Sequence, residues 1–153
     1  MVITTGAGEN AMTLLDQDTE FGARVAERLR TDLIAWVTSV DRAGTPQPAP
    51  VWFVWEADSA TVLIYSTPDA KRVERARANP RTSVHLSDEG LGQNFAVFTG
   101  ELAEAPDAPS IPDNADYLAK YADRITEVFG GVEQFAAKYT VALRFRPSRV
   151  RGF

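Results

Sequence analysis

The chain has 153 residues, 44% of them apolar and 10% aromatic, enough for one substantial core and too few for two comfortable domains. It has no cysteine and one histidine, His85, which excludes a Cys/His zinc site, a disulfide framework and a cysteine nucleophile. A formal charge of −5 argues against a general nucleic-acid binder; the basic stretches at 71–81 and 144–151 suit a small anion better than a duplex, and 101–127 is acidic.

Residues 1–15 contain Thr, Gly, Ala and Asn without a period and read as a mobile arm ahead of a single domain over 16–153. No signal-peptide pattern opens the sequence and no apolar run approaches the roughly 18 residues that span a bilayer. The expected setting is therefore cytoplasmic, with neither membrane nor nucleic acid as a partner. From Thr19 to Arg30, Phe21, Val25 and Leu29 recur every fourth residue, the pattern of an amphipathic helix with one buried stripe. Leu33 to Asp41 is a β-rich run, Asp41-Arg42-Ala43-Gly44 a turn, and Thr45 to Trp55 a second extended run, which together predict a hairpin. Pro46, Pro48 and Pro50 fall on alternate residues of that second strand and remove three donors from one of its edges. Such a strand is either an edge protected from aggregation or the border of a ligand groove, and both readings can hold together.

Thr61 to Tyr65 is a third strand, feeding directly into Ser66-Thr67-Pro68-Asp69-Ala70-Lys71-Arg72. Thr67 as N-cap and Pro68 as first helical residue predict a helix running to Asn79, before Pro80. Lys71 then lies in the first turn, where the macrodipole disfavours a cation by a few tenths of a kcal/mol to about 1, unless a bound anion reverses the sign. Against that stands an ordinary surface helix whose cations are balanced by Asp69 and Glu74. Thr82 to Ser87 and Phe95 to Glu104 are strands around a glycine-bearing loop; a proline-rich linker over 105–115 leads to helices at Asp116–Val128 and Val132–Lys138; Thr140 to Phe145 is the last strand, followed by Pro147 and a basic tail. Hairpins, one inserted helix, two late helices and a closing strand do not alternate as in a doubly wound sheet. They predict a mainly β (α+β) protein, an antiparallel barrel with peripheral helices.

Catalytic constellations fail on residue type. His85 alternates with Val84 and Leu86 in a strand and no serine stands in a nucleophile-elbow context. The carboxylates of 101–107 and 113–127 read as a solvated face, and Gly90-Leu91-Gly92 lacks the strand-then-helix context of a dinucleotide fingerprint. What remains is a binder, or an enzyme whose reactive atoms belong to a cofactor. Hydride transfer needs only a dry, close site, and Trp52, Phe53, Trp55, Phe145 and Phe153 are candidate walls for one. No metal ligands and no protein-borne catalytic residues are expected.

Four segments in order resemble the split β-barrel flavin and deazaflavin oxidoreductases related to pyridoxamine 5′-phosphate oxidase, especially the F420-dependent branch. They are Thr38-Ser39-Val40-Asp41-Arg42-Ala43-Gly44-Thr45-Pro46; Pro50-Val51-Trp52-Phe53; Ser66-Thr67 with Lys71 and Ala78-Asn79-Pro80-Arg81; and Phe98-Thr99-Gly100-Glu101-Leu102-Ala103-Glu104. Arg144 to Val150 is similar to the family's closing strand. The resemblance implies a six-stranded antiparallel split β-barrel, a homodimer with cofactor sites at its interface, and F420 as cofactor with FMN as the alternative. It places Ser66, Thr67 and Lys71, with Arg72 less firmly, at the cofactor phosphate, Pro50, Val51 and Trp52 against the ring, and Arg149 near the ring. The third strand, Val62-Leu63-Ile64-Tyr65, lacks the paired cations that the oxidase itself uses for FMN phosphate, which favours F420; the helix face of Arg72, Arg75 and Arg77 is a partner for that cofactor's acidic tail. The implied activity is hydride transfer from reduced F420 to a conjugated small molecule, with a flavin, deazaflavin or haem carrier as the non-catalytic alternative.

Overall fold

Val, Thr and aromatic residues concentrate in 35–40, 61–66, 81–86 and 96–104, and these runs build the sheet. A computed structural model describes residues 2–4 and 14–153. Its strands are β1 (Val2–Thr4), β2 (Ala35–Val40), β3 (Pro46–Val51), β4 (Val54–Glu56), β5 (Thr61–Ser66), β6 (Arg81–Leu86), β7 (Ala96–Glu104) and β8 (Val141–Gly152). They lie in the order β3-β2-β6-β7-β8-β5-β4, with β1 added on β8, and every pairing is antiparallel. The two ends of that order, β3 and β4, are consecutive in the chain and separated only by Trp52 and Phe53. The sheet must curl until its ends approach at this corner, and the result is an antiparallel split barrel.

Two differences raise the expected six strands to the eight described. The second run breaks at Trp52-Phe53, and Val2–Thr4 of the N-terminal arm pairs with Arg149–Arg151 of β8. The rest of the arm's first thirteen residues lies outside the described residues. The closing strand also runs past Phe145, through Pro147, to Gly152. A register shift between Thr99 and Gly100 puts Pro147 opposite Gly100 and lets β8 carry a residue without a donor. Glycine is required there, because a Cβ on Gly100 would stand 2.0 Å from the Arg146 carbonyl oxygen.

The three prolines sit where the sheet tolerates them. Pro46, Pro48 and Pro50 face Val40, Thr38 and Trp36 of β2, and β3 ends the strand order. Residues in between, Gln47, Ala49 and Val51, can carry the ladder to β2, so the missing donors fall on the free edge.

Helix α1 (Glu20–Thr31) starts at the Thr19 cap, whose hydroxyl accepts from the Gly22 amide at 3.0 Å, and buries Phe21, Val25 and Leu29 as its periodicity predicts. Helix α2 (Lys71–Ala78) corrects the expected start at Thr67. Thr67 to Ala70 form a turn, closed by the Ala70 amide on the Thr67 carbonyl at 3.1 Å, and Ala70 is the N-cap without a side-chain cap bond. Pro68 serves equally at the first helical position and at the second position of a turn, and here it takes the turn. Helices α3 (Ala115–Phe129), capped by Asn114 and ended by left-handed Gly130, and α4 (Val132–Lys138) follow a 3-10 turn at Ile111–Asp113.

Strand β5 separates two cores and is buried at all six positions. Val62 and Ile64 face the barrel interior with Phe53, Leu86, Phe98 and Phe145, closed by α1 and α2. Leu63 and Tyr65 face outward into a second core of Tyr117, Tyr121, Ile125 and Phe135 under α3 and α4. Alternation along one strand thus feeds both layers. Among the described residues no helix is long and apolar enough to cross a membrane.

Candidate functional site

The corner between β3 and β4 leaves backbone groups outside the ladder, and the second core clamps them. The Tyr121 hydroxyl accepts from the Phe53 amide at 2.9 Å and faces the Leu33 and Phe53 carbonyls at 2.8 and 3.1 Å. Lys120 Nζ donates to the same Phe53 carbonyl at 3.0 Å and lies 3.7 Å from the centroid of the Phe53 ring. Burial pushes the Lys120 ammonium down to about 8 and the Tyr121 phenol up. Phe53 is consequently a buried core residue, whereas Trp52 turns outward and stacks on Tyr121 with 4.9 Å between centroids and a 6° interplanar angle.

Trp52 forms one wall of a pocket of about 250 Å³. Pro50 and Val51 continue that wall, Tyr65 and Arg72 stand at the end of β5 and the start of α2, and Tyr117, Phe129, Phe135 and Tyr139 come from the helical layer. The aromatic side is a mutually packed set, with Phe135 stacked on Tyr139 at 4.2 Å and Phe129 against Phe135 at 4.8 Å. Tyr65 is held by donating to the Pro109 carbonyl at 2.6 Å and accepting from Asn114 Nδ2 at 3.0 Å, and burial raises its phenol pKa.

Arg72 is the polar centre of this pocket. Its side chain is half-buried and its Nη1 donates to the buried Ser66 hydroxyl at 3.1 Å. Burial pulls the guanidinium pKa down, and among the described residues no carboxylate forms an ion pair with it. A partly desolvated, unpaired cation is a cost to the fold that an incoming anion removes.

The neighbouring residue points elsewhere. Lys71 is 75% exposed, pairs with Glu74 at 3.8 Å, and lines an open groove of about 620 Å³ between α2 and the β2–β3 turn. Arg42 and Arg75 line the same groove. Its Asp41 carboxylate is engaged by the Ala43 and Thr45 amides and by Gln47, bonds that hold its pKa below the usual range. Arg42 meets Glu74 at 3.5 Å, so Arg42 and Lys71 share one carboxylate in this groove.

Of the residues singled out from sequence, the structure brings Pro50, Val51, Trp52 and Arg72 into one pocket, with Ser66 behind Arg72. Thr67 sits half-buried in the turn before α2, and Lys71 faces the separate groove. Arg149 is an exposed β8 residue opposite Thr99 and Thr4, and does not line the pocket. The proposed aromatic walls also divide: Phe145 is core, Trp55 packs against the barrel interior, and Phe153 is exposed. Nor do Arg72, Arg75 and Arg77 share one face, because Arg72 turns inward and Arg77 is tied to Glu104 by two bonds of 2.8 Å. His85 is stacked on Trp36 at 6.3 Å, and burial lowers its pKa. The sequence reading missed Tyr65, Tyr117, Phe129, Phe135 and Tyr139. The signal in sequence reached two of them, Tyr117 and Phe129, which fall with Tyr121 and Ile125 on an apolar stripe at helical spacing.

The chain is thus an antiparallel split barrel with an aromatic pocket and, among the described residues, a half-buried cation without an ion pair at its corner. The profile described as pyridoxamine 5′-phosphate oxidase matches residues 21–153, and the chain belongs to that family. Among solved structures it is similar to an FAD-binding protein from Mesorhizobium loti (20% identity, 98% of this chain and 97% of that one, TM-score 0.57). It is similar also to an F420 reductase (21% identity, 82% and 94%, TM-score 0.57) and to the heme-storage protein HutZ from Vibrio cholerae (14% identity, 88% and 95%, TM-score 0.59). At these identities the likeness is one of fold. No curated protein matches the chain.

Proposed function

We propose that this protein is a homodimeric oxidoreductase that holds F420, with FMN as the alternative, in the corner pocket and reduces a conjugated small molecule. The observation that carries this reading is Arg72, a half-buried guanidinium at an aromatic pocket whose side chain, among the described residues, hydrogen-bonds a serine and no carboxylate. Both cofactors combine a flat heterocycle with a phosphate. The residues fit such a group: Trp52, Phe135 and Tyr139 offer flat apolar walls, and Arg72 with Ser66 offers a charge-assisted anion contact. The pocket's 250 Å³ falls short of the roughly 300–1,000 Å³ of ligand sites, a shortfall that supports the homodimer reading, in which a second copy completes the enclosure.

When bound, the cofactor supplies the hydride chemistry. The protein's own part is to bind the anion through Arg72, position Arg72 through Ser66, present the Pro50 to Trp52 backbone to the ring, and keep water off the aromatic wall. Any proton comes from solvent. F420 is preferred because β5 carries no cation in Val62 to Tyr65 and is buried on both faces, which leaves it no phosphate contact to make. The F420 reductase of the same fold supports the preference, and the FAD-binding relative keeps FMN as the alternative.

Titration of the purified protein with F420 and with FMN, followed by fluorescence and thermal denaturation, tests the reading. F420 is expected to quench and to raise Tm; stabilisation by neither at hundreds of micromolar would remove it. Reoxidation of bound reduced F420 by conjugated acceptors separates an enzyme from a carrier of the kind HutZ's description suggests.

A further inference from the structure

A second cavity lies beside the corner pocket and shares Tyr65 and Tyr139 with it. This groove is larger, about 560 Å³, and is walled by Pro106, Ala108 and Pro109 of the linker after β7, Ala136 of α4 and Ala142 of β8. Its polar groups are nearly all spoken for. Glu104, the one carboxylate on its wall, has both oxygens held by Arg77 at 2.8 Å. The Tyr65 hydroxyl bonds Pro109 and Asn114, and Ser110 donates to Asp113 at 2.8 Å. Among the described residues, the side-chain groups on its wall that make no hydrogen bond to the protein are the hydroxyls of Thr140 and of Tyr139, whose phenol lies in the field of Arg72.

A charged occupant would find no unpaired countercharge here, and an anion would lie beside Glu104. An apolar occupant displaces water from alanine and proline surface and can give one polar group to the two hydroxyls. We propose that this groove is the substrate subsite, and that it takes an uncharged, largely apolar molecule carrying a single carbonyl or hydroxyl group. The assignment rests on the cofactor reading for its catalytic meaning, since the shared tyrosines put the groove next to the proposed ring site. It does not rest on that reading for the binding preference itself.

The test uses the fluorescent neutral probe N-phenyl-1-naphthylamine, displaced by chalcone, a neutral conjugated ketone, and by 4-carboxychalcone, its charged twin. Chalcone is expected to displace the probe at least tenfold more strongly than the carboxylate. Ala108→Trp, at a half-buried position on the groove wall, should weaken the probe at least tenfold while F420 titration is unchanged, and Thr140→Val should weaken chalcone but not the probe. Equal displacement by the two chalcones, or full probe binding in Ala108→Trp, would overturn the assignment. Absence of probe binding by the wild type would overturn it too, and sedimentation showing that Ala108→Trp breaks a dimer would make the groove an interface instead. Chalcone preference in a protein that binds neither F420 nor FMN would support the groove and overturn the cofactor reading instead.

Discussion

Lys71 and Arg72 are adjacent in the chain and occupy opposite worlds. One residue of helix rotates the side chain by about 100°, enough to send Lys71 into an open groove with Glu74 and Arg72 under the aromatic layer with only Ser66. An exposed ion pair of the first kind is worth little, because water already solvates both charges. The second cation has lost part of its hydration and gained no carboxylate, so it has more to gain from a ligand. Proximity in sequence to a phosphate-like motif therefore says less than burial does.

The largest expected effects come from the wall that makes the Arg72 side different. Trp52→Ala deletes the stack on Tyr121 and should destabilise the protein by about 3 kcal/mol, near the low end of aromatic-to-alanine losses, as measured by urea denaturation. Tyr121→Phe leaves the Phe53 amide without its acceptor and should cost about 2 kcal/mol. If both variants were as stable as wild type, the corner would not be the rigid element that distinguishes the two regions.

Arg72→Met removes a desolvated cation but also the donor to the buried Ser66 hydroxyl, so stability should shift by no more than about 1 kcal/mol, while cofactor binding weakens by about 1.5–3 kcal/mol, the scale of a hydrogen bond to a charged group. A large stability loss without an affinity loss would make Arg72 a structural residue.

Lys120 sharpens the comparison through pH. Its folded-state pKa is depressed to about 8 from an ordinary 10.5 by burial, so between those values the unfolded chain holds a proton that the folded one has released. Stability should accordingly rise from pH 8 to 10.5 in the wild type relative to Lys120→Met, with the full penalty present below pH 8. Parallel pH profiles for the two proteins would contradict that burial. Lys71→Met should have the smallest effect, a stability change within the error of denaturation, because its Glu74 contact is long and exposed.

Much of the barrel was legible in the sequence. Alternating β-rich runs, the Phe21-Val25-Leu29 stripe and the proline triplet each describe a local pattern, and each appears where that pattern puts it. The break at Trp52-Phe53 was not legible, because no glycine or proline marks it. It exists because Tyr121, 68 residues later, satisfies the Phe53 amide that the ladder drops. The start of α2 was misread because Pro68 suits a turn as well as a first helical position. The pocket was half legible: Pro50 to Trp52 and Arg72 could be named from one short strand and one helix start, but their aromatic partners come from α3 and α4, and no local pattern links those segments. The Arg72–Lys71 distinction is a matter of burial, which sequence adjacency conceals.

The central claim is that Arg72, and not Lys71, carries the anion site. Parallel fluorescence titrations of wild type, Arg72→Met and Lys71→Met with F420 test it most directly. Arg72→Met is expected to raise Kd at least tenfold and Lys71→Met less than threefold. The reverse order, or equal affinity in all three proteins, would contradict the account.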